Sequence, residues 1–342
     1  MSIRIGRSTI AMENSVMISS FAAVGGKKEG DGPYASCFDY IDKDDYFGQQ
    51  SFEHAESAMQ GLALQNAVEK RGIEPSELSM LIGGDLLNQC IGTSFGTQDF
   101  SVPFLGIYGA CSTMSEGLAL ASLLTDSGAS KITAAITSSH FCTAERQYRF
   151  PLEYGGQRTP TSQWTATASG ALITEMGDCA PFVRAVTIGK IEDKGIKDAN
   201  NMGAAMAPAA YSTITQFFKD TGFKPDDFDA VITGDLGNVG SRILCELTER
   251  DGLNLREKHL DCGRMIYDQK SQDVHAGGSG CGCAASMLCG HFLPEVKAGR
   301  LKNILFAATG ALLSTTSSQQ GMSIPGISHL VWISGEQKGG LS

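Results

Sequence analysis

Apolar and polar positions follow two rhythms along this 342-residue chain. Short apolar runs at residues 16–23, 78–82, 102–108, 132–137 and 182–189 have the length and bounding turn residues of strands, and the continuous run from Phe104 to Ile107 predicts a buried one. Residues 165–175 alternate and read as a further strand. Residues 51–70 place Ala55, Ala58 and Leu62 at helical spacing, predicting an amphipathic helix. A small-residue stretch at 112–127, opened by the hydroxyls of Ser112 and Thr113 and closed by Gly128, predicts a second. Residues 141–164 are polar and carry Arg146, Arg149, Glu153 and Arg158, which predicts a long loop. Between the 102–108 run and the 112–127 helix lies Gly109-Ala110-Cys111, whose small residues allow a sharp corner. Cys111 is thereby expected at a helix N-terminus, where amide dipoles lower a thiol pKa. The plainer reading is a small buried core cysteine.

The pattern occurs twice. Leu81-Ile82-Gly83-Gly84-Asp85-Leu86 returns as Val231-Ile232-Thr233-Gly234-Asp235-Leu236, 150 residues later. Cys111 and Cys283, 172 residues apart, each precede an Ala- and Ser-rich stretch and then an apolar strand, so the second copy carries a 22-residue insertion between Leu253 and Ala276. Such long-period self-similarity means a duplicated unit. Strand–helix alternation in each copy predicts an α/β fold with mostly parallel sheets, divided into halves at 1–178 and 179–342. Ligands of such sheets bind beyond the carboxyl ends of the strands. Asp85, Asn88, Cys111, His140, Asp235, Asn238 and Thr309 are all placed there, and are expected to converge on one cleft.

Composition narrows the function classes. Hydrophobic content of 42% with 41 glycines suits a turn-rich globular protein. A net charge of −10 and the lack of any basic run argue against nucleic acid as a partner. Arg4, Arg7, Glu13 and Asn14 interrupt the first 24 residues, so neither a signal peptide nor a membrane span is expected there. The ten cysteines lack framework spacing and are expected as reduced thiols of a cytoplasmic-type compartment. Cys281-Gly282-Cys283 has no second pair at zinc spacing, so no metal site is expected. Asp42, Asp44 and Asp45 lack calcium-loop spacing and read as a solvated turn.

The Gly109-Ala110-Cys111-Ser112-Thr113 corner resembles that of the nucleophilic cysteine in the thiolase superfamily. That resemblance implies a thiolase-like α/β fold: two duplicated halves with five-stranded mixed sheets in a layered αβαβα arrangement. Gly84-Asp85-Leu86-Leu87-Asn88-Gln89, Glu153-Tyr154-Gly155-Gly156-Gln157, Gly277-Gly278-Ser279-Gly280-Cys281 and Ala308-Thr309-Gly310-Ala311-Leu312-Leu313-Ser314 narrow it to the stage V sporulation protein AD family over nearly the whole chain. This implies a sporulation protein of endospore formers, held peripherally at the forespore or spore inner membrane by other SpoVA proteins, and a homodimer. It also implies binding of dipicolinic acid (pyridine-2,6-dicarboxylic acid), free or as its calcium chelate, during uptake into the forespore, with no other cofactor.

Departures from the enzymes of the superfamily favour a non-catalytic protein. Their Gly-His-Pro is replaced by Gly277-Gly278-Ser279-Gly280-Cys281, their late Cys-x-Gly by Ala308-Thr309-Gly310, and the His-x-x-Asn of ketoacyl synthases by Asp235-Leu236-Gly237-Asn238. An ionised Asp235 cannot donate to an oxyanion and opposes a neighbouring thiolate. The alternative is an acyltransferase that uses Cys111 as nucleophile, with His140 as substitute base or else as a structural histidine at a strand end. For a flat dianion, the backbone amides of the helix N-terminus at Cys111, Ser112 and Thr113 can face one carboxylate, and His140, Arg146 or Arg149 the other. Each arginine reads equally as a surface ion pair. Asp85 and Asp235 can ligate the calcium of a chelate or cap the helices that follow them.

Overall fold

The computed structural model describes residues 2–149 and 158–337. The first half contributes β1 (Thr9–Gly25), α1 (Phe52–Arg71), β2 (Met80–Gly84), β3 (Phe104–Gly106), α2 (Thr113–Asp126), β4 (Ile132–Ser139), α3 (Phe141–Arg149) and β5 (Ala168–Met176). The second contributes β6 (Phe182–Thr187), α4 (Met202–Thr221), β7 (Ala230–Thr233), α5 (Gly237–Arg250), β8 (His259–Asp261), α6 (Cys281–Met287), β9 (Asn303–Ala311) and β10 (Gly326–Ser334). The strand order is β3-β2-β4-β5-β1 in the first half and β8-β7-β9-β10-β6 in the second. These are the same five-stranded mixed sheet written twice: three parallel strands followed by two antiparallel ones.

The sheets join where β1 pairs antiparallel with β6, from Thr9↔Thr187 to Met17↔Phe182. Helix α2 touches strands of both sheets and packs beside α6, so these two form the central layer. Met114, Leu118 and Ala121 of α2 and the whole of α6 are buried, and no residue of α2 is fully exposed, as a helix sandwiched between sheets requires. α1 covers the outer face of the first sheet and α4 that of the second, completing five layers. α1 begins where the Ser51 hydroxyl accepts the His54 amide (3.3 Å) and ends at Gly72, whose φ of 73° suits glycine.

Three local expectations change. The 102–108 run is not a buried strand: β3 is a three-residue edge strand with Phe104 39% and Leu105 46% exposed. An apolar run marks what is hydrophobic and cannot say whether a neighbouring strand is supplied. The polar segment expected as a loop opens with α3; its residues 150–157, and with them the Glu153–Gln157 motif, lie outside the described residues. β1 extends well beyond 16–23, because it serves both sheets. Most of the second-half insertion falls after β8, since Ile82↔Leu105 and Ile232↔Leu260 are equivalent pairs.

Candidate functional site

The corner before α2 is a single 3-10 turn, Ala110–Ser112, in which Ala110 takes a left-handed φ of 49°. That conformation strains any residue with a Cβ. Hydrogen bonds hold it: the Ser112 hydroxyl donates to the Gly109 carbonyl and the Thr113 hydroxyl to that of Ala110, both at 2.7 Å. Gly310 of β9 backs the turn so closely that a Cβ there would lie 2.2 Å from the Gly109 carbonyl oxygen.

Cys111, 5% exposed, lies beside Asp235 from the end of β7, whose charge acts on the thiol. Asp235 is fully buried. Its Oδ2 accepts the Gly280 amide (2.8 Å) and the Ser279 hydroxyl (3.1 Å), and its Oδ1 accepts the Thr309 hydroxyl (3.1 Å). Burial outweighs these donors and pushes the carboxyl up to about 7. The Cys111 thiol is raised well above its ordinary value, first by burial and then by the Asp235 charge. The expected lowering by the helix end is thus overturned, because desolvation disfavours a thiolate more than one turn of amides favours it.

A second thiol stands in the same apolar cluster. Cys281, at the start of α6, packs with Cys111, Leu86 and Ala144 and donates to the Ser138 carbonyl (2.8 Å). Burial raises it too, so it is a neutral neighbour at physiological pH. Behind it two carboxyls share the interior. Glu56 accepts from Ser138 (3.0 Å) and Thr143 (2.7 Å); Asp85 accepts the Leu87 amide (2.8 Å) and both the amide and the hydroxyl of Thr93 (2.7 and 2.6 Å). Both are raised by burial, Glu56 to about 8 with the Asp85 charge as the second cause, so Glu56 holds a proton at neutral pH.

Of the residues singled out in the sequence, Cys111, Asp235 and Thr309 come together. Ser112 adjoins them, but its hydroxyl is spent on the turn. Asp85 sits one layer back, pinning local backbone. Asp235 caps no helix; Asp261 does that for α5, accepting the Leu236 (2.8 Å) and Gly237 (3.0 Å) amides. His140 is buried away from the sulfur with both ring nitrogens engaged: Nδ1 accepts the Cys142 amide (3.2 Å), which leaves Nε2 to donate to the Asp45 carbonyl (2.8 Å). Its pKa is lowered by burial, and it anchors the acidic turn as a structural histidine. Asn88 is exposed, its amide held by Gln147 (2.9 Å); Asn238 is exposed and donates to Gln269 (2.8 Å). Arg146 pairs with Glu53 at the surface. Arg149 closes α3, and its side chain lies outside the described residues.

Sequence reasoning missed Cys281, Ser279, Glu56 and Tyr148. The repeat directed attention to Cys283, whereas the glycine-rich turn at 277–280 was the available signal, since it delivers Ser279 and Cys281 together. Tyr148 of α3 bonds to the Tyr108 hydroxyl (2.9 Å) and the Leu86 carbonyl. It overhangs a cleft of about 30 Å³ above Cys111, whose walls include Leu86, Ala144, Met202 and Leu313. Glu145 is the single charged side chain among the described lining residues. No group of three or more His, Cys, Asp or Glu among the described residues is placed to hold a metal ion.

The fold is shared with solved enzymes. 3-Oxoacyl-[acyl-carrier-protein] synthase III from Aquifex aeolicus VF5 matches with a TM-score of 0.59 at 14% identity, over 93% of this chain and 99% of that one. A single-residue variant of OleA from Xanthomonas campestris matches with a TM-score of 0.59 at 12% identity, over 95% and 99%. Such likeness shows the thiolase-like fold alone. The sequence comparison goes further. The chain is 42% identical over 337 residues to stage V sporulation protein AD of Bacillus subtilis (strain 168), covering 98% of this chain and 99% of the relative. The family model for stage V sporulation protein AD (SpoVAD) matches residues 6–334. The chain therefore belongs to the stage V sporulation protein AD family.

Proposed function

We propose that this sporulation protein uses the thiolase scaffold to bind and not to catalyse, and that its ligand is dipicolinic acid, free or as the calcium chelate, during uptake into the forespore. One observation carries the non-catalytic reading. The Cys111 sulfur faces a buried carboxyl where acyl transfer needs an oxyanion donor. Burial and the Asp235 charge both disfavour the Cys111 thiolate, and an ionised Asp235 offers no hydrogen to an oxyanion. His140 supplies no base, because both its nitrogens are occupied.

The ligand follows from the family resemblance, and the site chemistry sets its terms. The cleft is far smaller than the several hundred Å³ of a small-molecule site, so entry requires the Leu86, Met202 and Leu313 side chains to swing aside. Asp235 repels a bare dianion once it is ionised, which favours the chelate or the protonated acid. Calorimetry with dipicolinate, with and without calcium, against wild type and Cys111→Ala tests the site: weakening by about 1–3 kcal/mol is expected in the variant. An acyl adduct on Cys111, seen by mass spectrometry after incubation with acyl thioesters, would falsify the non-catalytic reading.

We also propose a homodimer through β3, and peripheral attachment to the spore inner membrane through other SpoVA proteins. Support for the first is an unpaired strand edge bearing exposed Phe104, Leu105 and Tyr108 beside Phe95. Support for the second is that no helix among the described residues is long and apolar enough to cross a membrane, while an acidic chain does not bind anionic lipid by charge.

A further inference from the structure

A larger cleft, of about 590 Å³, lies on the second half, between the segment after β6, one face of α4 and the side of α5. It shares no lining residue with the cleft above Cys111. Four of its lining side chains are cationic, Arg7, Lys190, Lys194 and Lys219, against one carboxylate, Glu192, on a chain whose net charge is −10. Each oxygen of Glu192 takes one ammonium, Lys190 at 2.9 Å and Lys194 at 3.3 Å, so this carboxylate spaces two cations rather than cancelling the patch. The Glu192 backbone is fixed in turn by paired hydrogen bonds to Gly326.

Arg7 is delivered by a pinned turn. The carboxylate of Asp220 accepts the amides of Arg7 (2.8 Å), Ser8 (2.8 Å) and Thr9 (3.0 Å), the Thr9 hydroxyl (2.9 Å) and the Gln216 side-chain amide (2.7 Å). Asp220 is therefore spent on backbone and neighbours, and Asp251, also nearby, accepts from the Tyr211 hydroxyl. Neither Arg7 nor Lys219 has an ion-pair partner among the described residues. Ile188, Pro208, Ile243 and Leu247 contribute apolar surface to the lining. A cavity in the size range of small-molecule sites, lined by apolar side chains and four cations, suits a small anion.

We propose that this cleft binds a small anion carrying two acidic groups, carboxylate or phosphate. Arg7 forks one group, and the ammonium groups of Lys190, Lys194 and Lys219 take the other. The inference stands apart from the reading of the Cys111 cleft and needs neither its ligand nor its site.

Two probes distinguish the sources of the shared chemistry: pyridine-2,6-dicarboxylate and inorganic pyrophosphate, each titrated calorimetrically into the full chain at low salt. At least one is expected to bind wild type, to weaken at least about tenfold in R7E/K219E, and to weaken as salt is raised. Both substituted side chains are exposed, so the variant is expected to melt with wild type. If it melts lower, K190A/K194A takes its place. Failure of both probes to bind overturns the proposal, as does binding that R7E/K219E leaves unchanged. The latter result leaves the Cys111 reading standing. Pyrophosphate binding that the variant abolishes, with no dicarboxylate binding anywhere, keeps this site and removes dipicolinate as the chain's ligand.

Discussion

Replacing Asp235 by Asn isolates the charge that faces Cys111. Asp235 titrates near 7 in the folded protein against an ordinary value of 3.8, because burial costs its ionised form more than its donors return. A carboxyl raised on folding contributes stability that is fully present below the unfolded value and is lost as pH climbs through the folded one. Three pH units correspond to about 4 kcal/mol, of which about 2 kcal/mol falls between pH 5.5 and 8.5. Asn keeps the shape but not the titration. It also returns only part of the hydrogen bonding to Gly280, Ser279 and Thr309, a loss of about 1–3 kcal/mol at every pH. Denaturant melts of both proteins across that range should show the variant less stable at pH 5.5, with the gap closing by about 2 kcal/mol at pH 8.5. Other buried carboxyls, Glu29 near 7 and Asp261 near 6, bend both curves alike and drop out of the difference. Parallel profiles would refute the assignment of a buried, proton-sharing carboxyl at this position.

The same variant should alkylate faster at Cys111, since removing the opposing charge lowers the thiol pKa; in wild type, iodoacetamide followed by peptide mass mapping should label exposed Cys179 well before Cys111. Gly310→Ala places a Cβ against the Gly109 carbonyl and should destabilise by about 1–3 kcal/mol, with unchanged melting ruling out the close backing of the turn. Leu105→Lys, at a 46% exposed edge position, should leave the melting temperature within a degree or two while converting a dimer to monomer in light scattering, and a dimer that persists would place the interface elsewhere.

What the sequence discloses is what is local. The strand-and-Gly-Asp signature at 81–86 and 231–236 sets the duplicated topology, and the small residues at 109–110 announce the corner. Relations across the fold are not local. The helix-end effect on Cys111 is read from its own neighbours, whereas the burial and the carboxyl that overrule it arrive from another half of the chain. α3 escapes because part of its inward side is polar: buried Thr143 donates to Glu56 next to Ala144, so the stripe does not read as apolar in the sequence. β3 misleads for the opposite reason, since its apolar face is real but lies on an edge.

The doubled central layer has a consequence for how such a chain can exist at all. A fragment ending near residue 178 would carry α2 with a greasy flank bared to water, and one starting near 182 would bare α6 likewise, while β1 would lose the partner strand it borrows from across the seam. Neither piece can hide its own innermost helix. Each needs the other as a lid, so the two copies are expected to melt as one cooperative body.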